Sequence, residues 1–205
     1  MRMIRSKTVI LASASPFRRQ MLHSAGIACD AITSDIDEEA EKSRLLAQNP
    51  PIDPERIALE LAGLKAKAVS CRHPDITVLG ADQVMTCDGG LFSKPRSREH
   101  AEQQLKAIRG RWHSLPTAAV LAVNGRVEWQ FIAEPRLKVR DFSNDFLTSY
   151  LDRMGEVVTR TVGGYQLEGL GAQLFEQVEG DYFSIIGLPL FPLLAELRRR
   201  GIAAA

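Results

Sequence analysis

Apolar positions along this chain alternate between short unbroken runs and stretches where they recur every three or four residues. The runs Thr8–Ala12, Ala28–Thr33, Ile76–Ala81, Thr117–Val123, Val127–Val139 and Leu174–Val178 read as strands. Between them the helical period predominates. Ser15 and Pro16 form an N-cap and first helical position, Met21, Leu22 and Ala25 follow at helical spacing, and Gly26 ends the element. Asp53-Pro54 opens a second helix, whose apolar face is Ile57, Leu61, Leu64 and Ala68. A third starts at Ser97 and turns Ala101, Leu105 and Ile108 inward before Gly110. Two more cover Asn144–Arg153 and Leu190–Arg200, the latter stopped by Gly201. Alternating elements predict an α/β protein, and Asn124-Gly125-Arg126 predicts a hairpin, so the sheet is mixed. The polar stretch Glu41–Pro51, with its Pro-Pro pair, reads as a mobile loop.

Composition narrows the class. The chain has 205 residues, 45% apolar and 25% charged, which suits one domain over residues 1–205 with a substantial core. A net charge of +1 argues against a sequence-independent grip on polymeric nucleic acid, which needs a broad basic surface. No apolar run reaches the roughly 20 residues that span a bilayer. The segment Met1–Lys7 is basic, but Val9–Ala14 is too short for a secretory apolar region. Cys29, Cys71 and Cys87 form no C-x-x-C pair and read as reduced thiols, which predicts a cytoplasmic location. His23, His73, His100 and His113 are too scattered for a histidine metal centre. Arg198-Arg199-Arg200 reads as a basic last turn facing the helix dipole.

The junction of the first strand and helix carries the strongest local chemistry. A helix N-terminus opening after a strand offers backbone N–H groups and a positive dipole end to an anion. Ser13, Ser15, Arg18 and Arg19 add hydroxyls and guanidinium forks at that spot. Consecutive helical residues are about 100° apart, so Arg18 and Arg19 face different ways. Asp82 follows Ile76–Ala81, which places a carboxylate where a buried strand emerges, with Gly80 and Ala81 keeping the exit narrow. There it could hold a divalent cation, orient a water or cap a turn. Lys65 shares the helix face of Leu61 and Leu64 and is expected to be half-buried. Glu38 belongs to an acidic cluster, Ser34–Glu39, and Lys94 is held extended by Pro95.

Taken in order, several blocks resemble the Maf family of nucleoside triphosphate pyrophosphatases. They are Leu11-Ala12-Ser13-x-Ser15-Pro16-x-Arg18-Arg19, Asp37-Glu38, Leu61–Ala66, Leu79–Gln83, Lys94-Pro95, Gly110 with His113, Gly164–Gly169, Gly180–Tyr182 and Gly187–Leu190. The resemblance implies a strongly twisted mixed sheet with flanking helices, in two lobes around a substrate cleft, as in inosine triphosphate pyrophosphatases. It implies hydrolysis of a nucleoside triphosphate to monophosphate and pyrophosphate. Asp82, Glu38, Lys65 and Lys94 match catalytic positions, and Ser13, Ser15 and Arg18 match the phosphate-binding motif. A divalent cation (Mg²⁺, Mn²⁺ or Co²⁺) would be held by Glu38 and Asp82. His113 matches a position that reads as orienting a loop, and Asp181 one that caps a turn or takes part in chemistry.

Three positions resemble determinants of base choice: Phe17, Gln83 and Glu168. The branch acting on thymidine and uridine triphosphates carries Arg, Thr and Gln there. The branch acting on 7-methylguanosine triphosphate carries an aromatic residue, Gln and Glu. This chain follows the second pattern with Phe17 in place of the more usual Trp, and Val162-Gly163-Gly164 departs slightly from it. A carboxylate at Glu168 suits the N1–H and amine of a guanine edge, and a cationic methylated base suits an aromatic face. The resemblance also implies a homodimer. A different class of function, a non-catalytic regulator of septum formation, is the competing expectation. The presence of Glu38, Lys65, Asp82 and Lys94 together weighs for the enzyme.

Overall fold

The computed structural model describes residues 8–50 and 52–204, so the basic Met1–Lys7 segment and Pro51 of the expected loop lie outside the described residues. Strand β3 (Thr77–Gln83) is central to the first sheet, where residues Val78 to Asp82 are all buried. A strand covered on both faces needs apolar or small residues throughout, which is what Val78-Leu79-Gly80-Ala81 supplies. It pairs in parallel with β1 (Val9–Leu11), which pairs in parallel with β2 (Cys29–Ala31). On its other side β3 pairs antiparallel with β7 (Thr117–Val123), and β7 with β8 (Arg126–Ala133). The sheet order is therefore β2-β1-β3-β7-β8. The β7–β8 turn is the expected hairpin, with Asn124 and Gly125 at φ of 50° and 76°, the pair of positive values that a tight two-residue turn demands.

Helix α1 (Pro16–Ser24) packs on one face of this sheet with α7 (Leu190–Arg199). Leu22, Leu193 and Leu197 meet Val9, Leu11, Leu79 and Leu121 there. Helix α3 (Pro54–Arg72) covers the opposite face, where Ile57, Leu61, Ala62 and Ala66 pack with Ala118, Val120 and Ala122. Asp53 occupies the expected N-cap of α3, but its side chain makes no capping bond. At the end of α7, Arg199 and Arg200 pair with the buried Glu196, and Arg200 also with Glu128. The three cysteines are free.

The second sheet, β10-β9-β6-β4-β5, is antiparallel throughout. It contains β4 (Met85–Cys87), β5 (Gly90–Phe92), β6 (Trp112–Ser114), β9 (Arg136–Val139) and β10 (Phe175–Glu179). Helices α4 (Arg98–Ile108) and α5 (Asn144–Met154) cover its inner face through Leu105, Ile108, Leu147, Tyr150 and Leu151. The chain passes between the two sheets at Val84, at Leu115-Pro116 and at Glu134-Pro135. The last of these splits the expected strand Val127–Val139 into β8 and β9. Pro135 has no N–H for a ladder, and its carbonyl instead accepts a bond from Leu115 N at 2.9 Å.

The expected loop Glu41–Pro51 is corrected in its first half, because α2 (Glu38–Leu46) runs through it. Asp37 caps this helix by accepting from Ala40 N at 3.0 Å, and Glu38, Glu39 and Glu41 fill the first turn, where the dipole favours acids. Leu45 is its one buried residue and packs with the α3 cluster. Short helix α6 (Tyr182–Ile185) follows Asp181, whose carboxylate accepts from Ser184 N at 2.9 Å and also from the Ser184 hydroxyl. Asp181 is thus a cap.

Gly80 does something other than narrow a strand exit. A Cβ at that position would lie 2.1 Å from Ala62 O and 2.8 Å from Ala66 N, because the α3 backbone rests directly on β3. Gly80→Ala is expected to push α3 off the sheet and destabilise the protein by about 2–3 kcal/mol. Urea unfolding checks this, and an unchanged midpoint would mean that the contact has slack.

Candidate functional site

The close approach of α3 brings Lys65 over the end of β3. Lys65 is 4% exposed, more deeply buried than its place on the helix face suggests. Its Nζ donates to Asp82 Oδ1 at 2.6 Å and to Glu38 Oε2 at 2.7 Å. Asp82 is 7% exposed and lies inside β3, opposite Ala118, since the strand runs two residues past the expected Ala81. Glu38 reaches the ammonium from the first turn of α2, with its own side chain about half exposed. Three separate elements thus bring two carboxylates to one buried cation. A buried ammonium without such partners would cost several kcal/mol.

The strand-to-helix junction lies against the same region. Ser15 caps α1 by accepting from Arg18 N at 3.4 Å, and Ser13 Oγ accepts from Ser15 N at 3.2 Å. Arg18 turns inward, while Arg19 is exposed. The Arg18 guanidinium donates from Nε to Gly187 O at 2.8 Å, and from one terminal nitrogen to Ala81 O at 2.9 Å and Ser13 Oγ at 3.2 Å. Burial pushes its pKa down from the ordinary value, and the Asp82 and Glu38 carboxylates pull it back up. Arg18 therefore braces the end of β3 against the loop after α6, leaving its second terminal nitrogen for a ligand.

Phe17, Gln83 and Glu168, widely spaced in sequence, line one pocket with Tyr165, Ile185 and Ile186. Gln83 is adjacent to Asp82 and points to the other side of β3. Its Nε2 lies 2.7 Å from Thr117 Oγ1 and 3.0 Å from the carbonyl oxygens of Ser184 and Ile185, three acceptors that share its two hydrogens. Two carbonyl acceptors fix which end of the amide is nitrogen and leave Oε1 as what Gln83 can offer a ligand. Lys94 is exposed on the segment after β5 and, among the described residues, makes no ion pair with Asp82 or Glu38. Its neighbour Ser93 accepts from Lys42 of α2 at 3.1 Å and, through its carbonyl, from Gln104 at 3.0 Å.

Asp82 and Glu38 are the side chains whose oxygens could serve a hard divalent cation. They meet at the Lys65 ammonium, and no group of three or more His, Cys, Asp or Glu side chains gathers among the described residues. Two carboxylates completed by phosphate oxygens and water are the pattern for a magnesium-type ion.

His113 is 2% exposed in the core of the second sheet, and its Nε2 is 2.6 Å from Tyr165 Oη. Its partner Tyr165 belongs to the segment that leads to Glu168. Tyr165, Ile185 and the Ser184 carbonyl join the site beyond the residues expected from sequence: Tyr165 stands in the Gly164-Tyr165-Gln166 block, and a backbone carbonyl carries no sequence signal. Burial lowers the His113 pKa from 6.5 to about 4. Above pH 6.5 the ring is neutral in both folded and unfolded chains and adds no pH dependence. Below it the unfolded chain takes the proton first, so stability should fall between about pH 6.5 and pH 4, by on the order of 3 kcal/mol. Urea midpoints of wild type and His113→Gln across that range test this; equal acid slopes would remove His113 as the cause.

Comparison with known proteins agrees with this arrangement. The model for the family described as Maf-like protein matches residues 8–200. A nucleoside triphosphate pyrophosphatase of Paramagnetospirillum magneticum is 47% identical over 192 residues, covering 94% of this chain and 98% of that one. A 7-methyl-GTP pyrophosphatase of Mesorhizobium japonicum is 44% identical, covering 96% and 98%, and one of Rhizobium meliloti is 45% identical, covering 94% and 96%. A solved nucleoside-triphosphatase / dITP/XTP pyrophosphatase from Mycobacterium abscessus is far looser, at 13% identity and a TM-score of 0.41 with 95% of both chains covered. Full-length matches at this level of identity make the chain a member of the Maf family.

Proposed function

We propose that this protein hydrolyses nucleoside triphosphates at the α–β bridge, releasing pyrophosphate and a nucleoside monophosphate, with a preference for guanine-type bases such as 7-methylguanine. The observation that carries this reading is the adjacency of two unlike sites. The Lys65 cluster with Asp82 and Glu38 lies on one side of β3, and the pocket of Phe17, Gln83 and Glu168 opens on the other, one residue on. The full-length relatives named for this chemistry support it.

In this mechanism Ser13, Ser15, Arg18 and the α1 N-terminus receive the triphosphate, and Lys94 adds charge from the segment after β5. Lys65 and Arg18 together only balance Asp82 and Glu38, so an incoming triphosphate needs further positive charge. A divalent cation held by Asp82 and Glu38 would supply that charge and polarise the phosphoryl oxygens. Asp82, through Oδ2, orients the attacking water and accepts its proton, while Lys65 fixes Oδ1. The water oxygen bonds to the α-phosphorus as the bridging oxygen leaves with the β and γ phosphates.

Base choice follows from acceptor count. With the Gln83 amide hydrogens committed, Gln83 and Glu168 both present acceptors, which match the N1–H and amine donors of guanine. Thymine and uracil offer a single N–H between two carbonyls and meet repulsion. Phe17 supplies a face for a cationic methylated ring. A cytoplasmic homodimer completes this reading; the aromatic cluster of Tyr182, Phe183 and Phe191, with Tyr182 and Phe191 exposed, is a surface a second copy would cover.

Asp82→Asn is expected to cut turnover on the order of 10²-fold or more while leaving the fold intact, since Lys65 keeps Glu38. Pyrophosphate release with Mg²⁺, Mn²⁺ or Co²⁺, alongside circular dichroism, measures both. Activity above about a tenth of wild type, or orthophosphate as the first product, would overturn the mechanism. Glu168→Gln should lower kcat/KM for 7-methyl-GTP by about 10- to 100-fold, the range for losing a hydrogen bond to a charged group, and spare UTP. Parallel losses on both substrates would deny Glu168 a part in base choice.

A further inference from the structure

The catalytic cluster leaves one buried polar pair unused. His113, on β6, meets Tyr165 through the 2.6 Å bond between Nε2 and Oη, and among the described residues its Nδ1 has no partner. The imidazole stands edge-on to the Tyr165 ring at 5.7 Å and tilted against Phe175 at 5.8 Å. Burial disfavours the charged form of both groups, lowering the His113 pKa and raising that of Tyr165, so the bond joins two neutral partners near pH 7.

Tyr165 is the last buried residue before Glu168; between them Leu167 is only partly buried against the same core. Upstream, Tyr150 Oη donates to Gly164 O at 3.0 Å, and Thr161 Oγ1 donates to Tyr165 O at 2.8 Å. Gly163, at φ of 78°, lies so close beneath the ring that a Cβ there would be 2.7 Å from Tyr165 Cε1. Downstream, the turn closes on itself. Gly169 N donates to Gln166 O at 3.2 Å, and a Cβ on Gly171 would be 2.5 Å from the same oxygen. Glu168 sits exposed on that turn with no hydrogen bond of its own among the described residues, so its position follows from the anchors around it, the buried Tyr165 and the partly buried Leu167 and Leu170, of which Tyr165 alone is held by a side-chain hydrogen bond. Displacements of about 1 Å in a recognition group are enough to change binding substantially.

We propose that His113 is a positioning residue for base recognition: by holding the Tyr165 phenol it sets where the Glu168 turn meets the base. The inference rests on reading the Phe17–Gln83–Glu168 pocket as the base site. His113 touches neither base nor phosphate in this assignment. Its removal should therefore change KM and discrimination between bases, and leave kcat nearly alone.

The test uses His113→Phe, which keeps an aromatic ring and deletes the bond, Tyr165→Phe, the double variant, and His113→Gln, whose amide reaches the place of Nε2. Steady-state constants are measured for 7-methyl-GTP and UTP, with circular dichroism and thermal melts as controls. Each Phe variant should raise KM for 7-methyl-GTP by about 5- to 10-fold, the range for one lost hydrogen bond, with kcat within about threefold. The double variant should be no worse than either single one, and His113→Gln should recover most of the discrimination. Unchanged discrimination in the Phe variants, a loss confined to kcat, or additive losses would overturn the proposal. If His113→Phe does not fold, Tyr165→Phe and His113→Gln decide together: discrimination lost in the first and kept in the second supports the proposal, and any other pattern overturns it. A wild-type enzyme that does not discriminate bases overturns the pocket assignment and this inference with it. A discriminating wild type with unaffected variants overturns this inference only.

Discussion

The contact of α3 with β3 at Gly80 is the constraint on which the arrangement depends. Helix backbone rests on strand backbone there, with the small residues Ala62 and Ala66 on the helix side of the contact. Lys65 is on the same helix, one residue from Ala66, and Asp82 is two residues along the strand from Gly80. The separation of ammonium and carboxylate is therefore set by main-chain packing, and two long side chains do not have to find each other. A larger residue at position 80 would move the charge pair apart as surely as a mutation within it.

The second sheet depends on the first through its crossings. Each of the three passages at Val84, Leu115-Pro116 and Glu134-Pro135 carries the chain directly from a strand of one sheet to a strand of the other. Backbone bonds lock them side by side: Val84 N donates to Pro116 O at 3.0 Å, and Leu115 N to Pro135 O at 2.9 Å. Thr117, at the start of β7, adds a buried hydroxyl that accepts from Gln83 Nε2 and has the carbonyls of Leu115 and Ser184 within reach of its single hydrogen. The pocket wall around Gln83 is thus built at the seam, where the two cores meet and apolar packing alone would leave polar groups unmatched.

Much of this was legible in the residues. Ser15-Pro16, Asn124-Gly125 and Ser97 mark their turns and caps because those conformations need those residues, independent of tertiary context. The long helices were readable from apolar spacing, and Ser13, Ser15 and Arg18 were found as a cluster for the same local reason. The three-residue strands β4, β5 and β6 were not, since three residues are too few to display a period of two. The break at Pro135 was hidden in an otherwise strand-like run. Helix α2 was obscured because only Leu45 turns inward, so its polar sequence resembles a loop. At the site, the depth of Lys65 and the use of the Gln83 amide to hold Ser184 and Ile185 arise from contacts between distant segments. No window of sequence contains them.

The placement of Phe17 beside Arg18 and of Gln83 beside Asp82 has an evolutionary consequence. In each pair, neighbours in sequence face different directions, because successive residues diverge by about 100° on a helix and by half a turn on a strand. One member of each pair faces the pocket assigned to the base and the other faces the charged cluster. A lineage can therefore exchange the pocket residues at positions 17, 83 and 168 one at a time, with Lys65, Asp82, Glu38 and Arg18 left in place. On this assignment the same hydrolytic scaffold can be redirected from one nucleoside triphosphate to another while the groups of the charged cluster stay as they are.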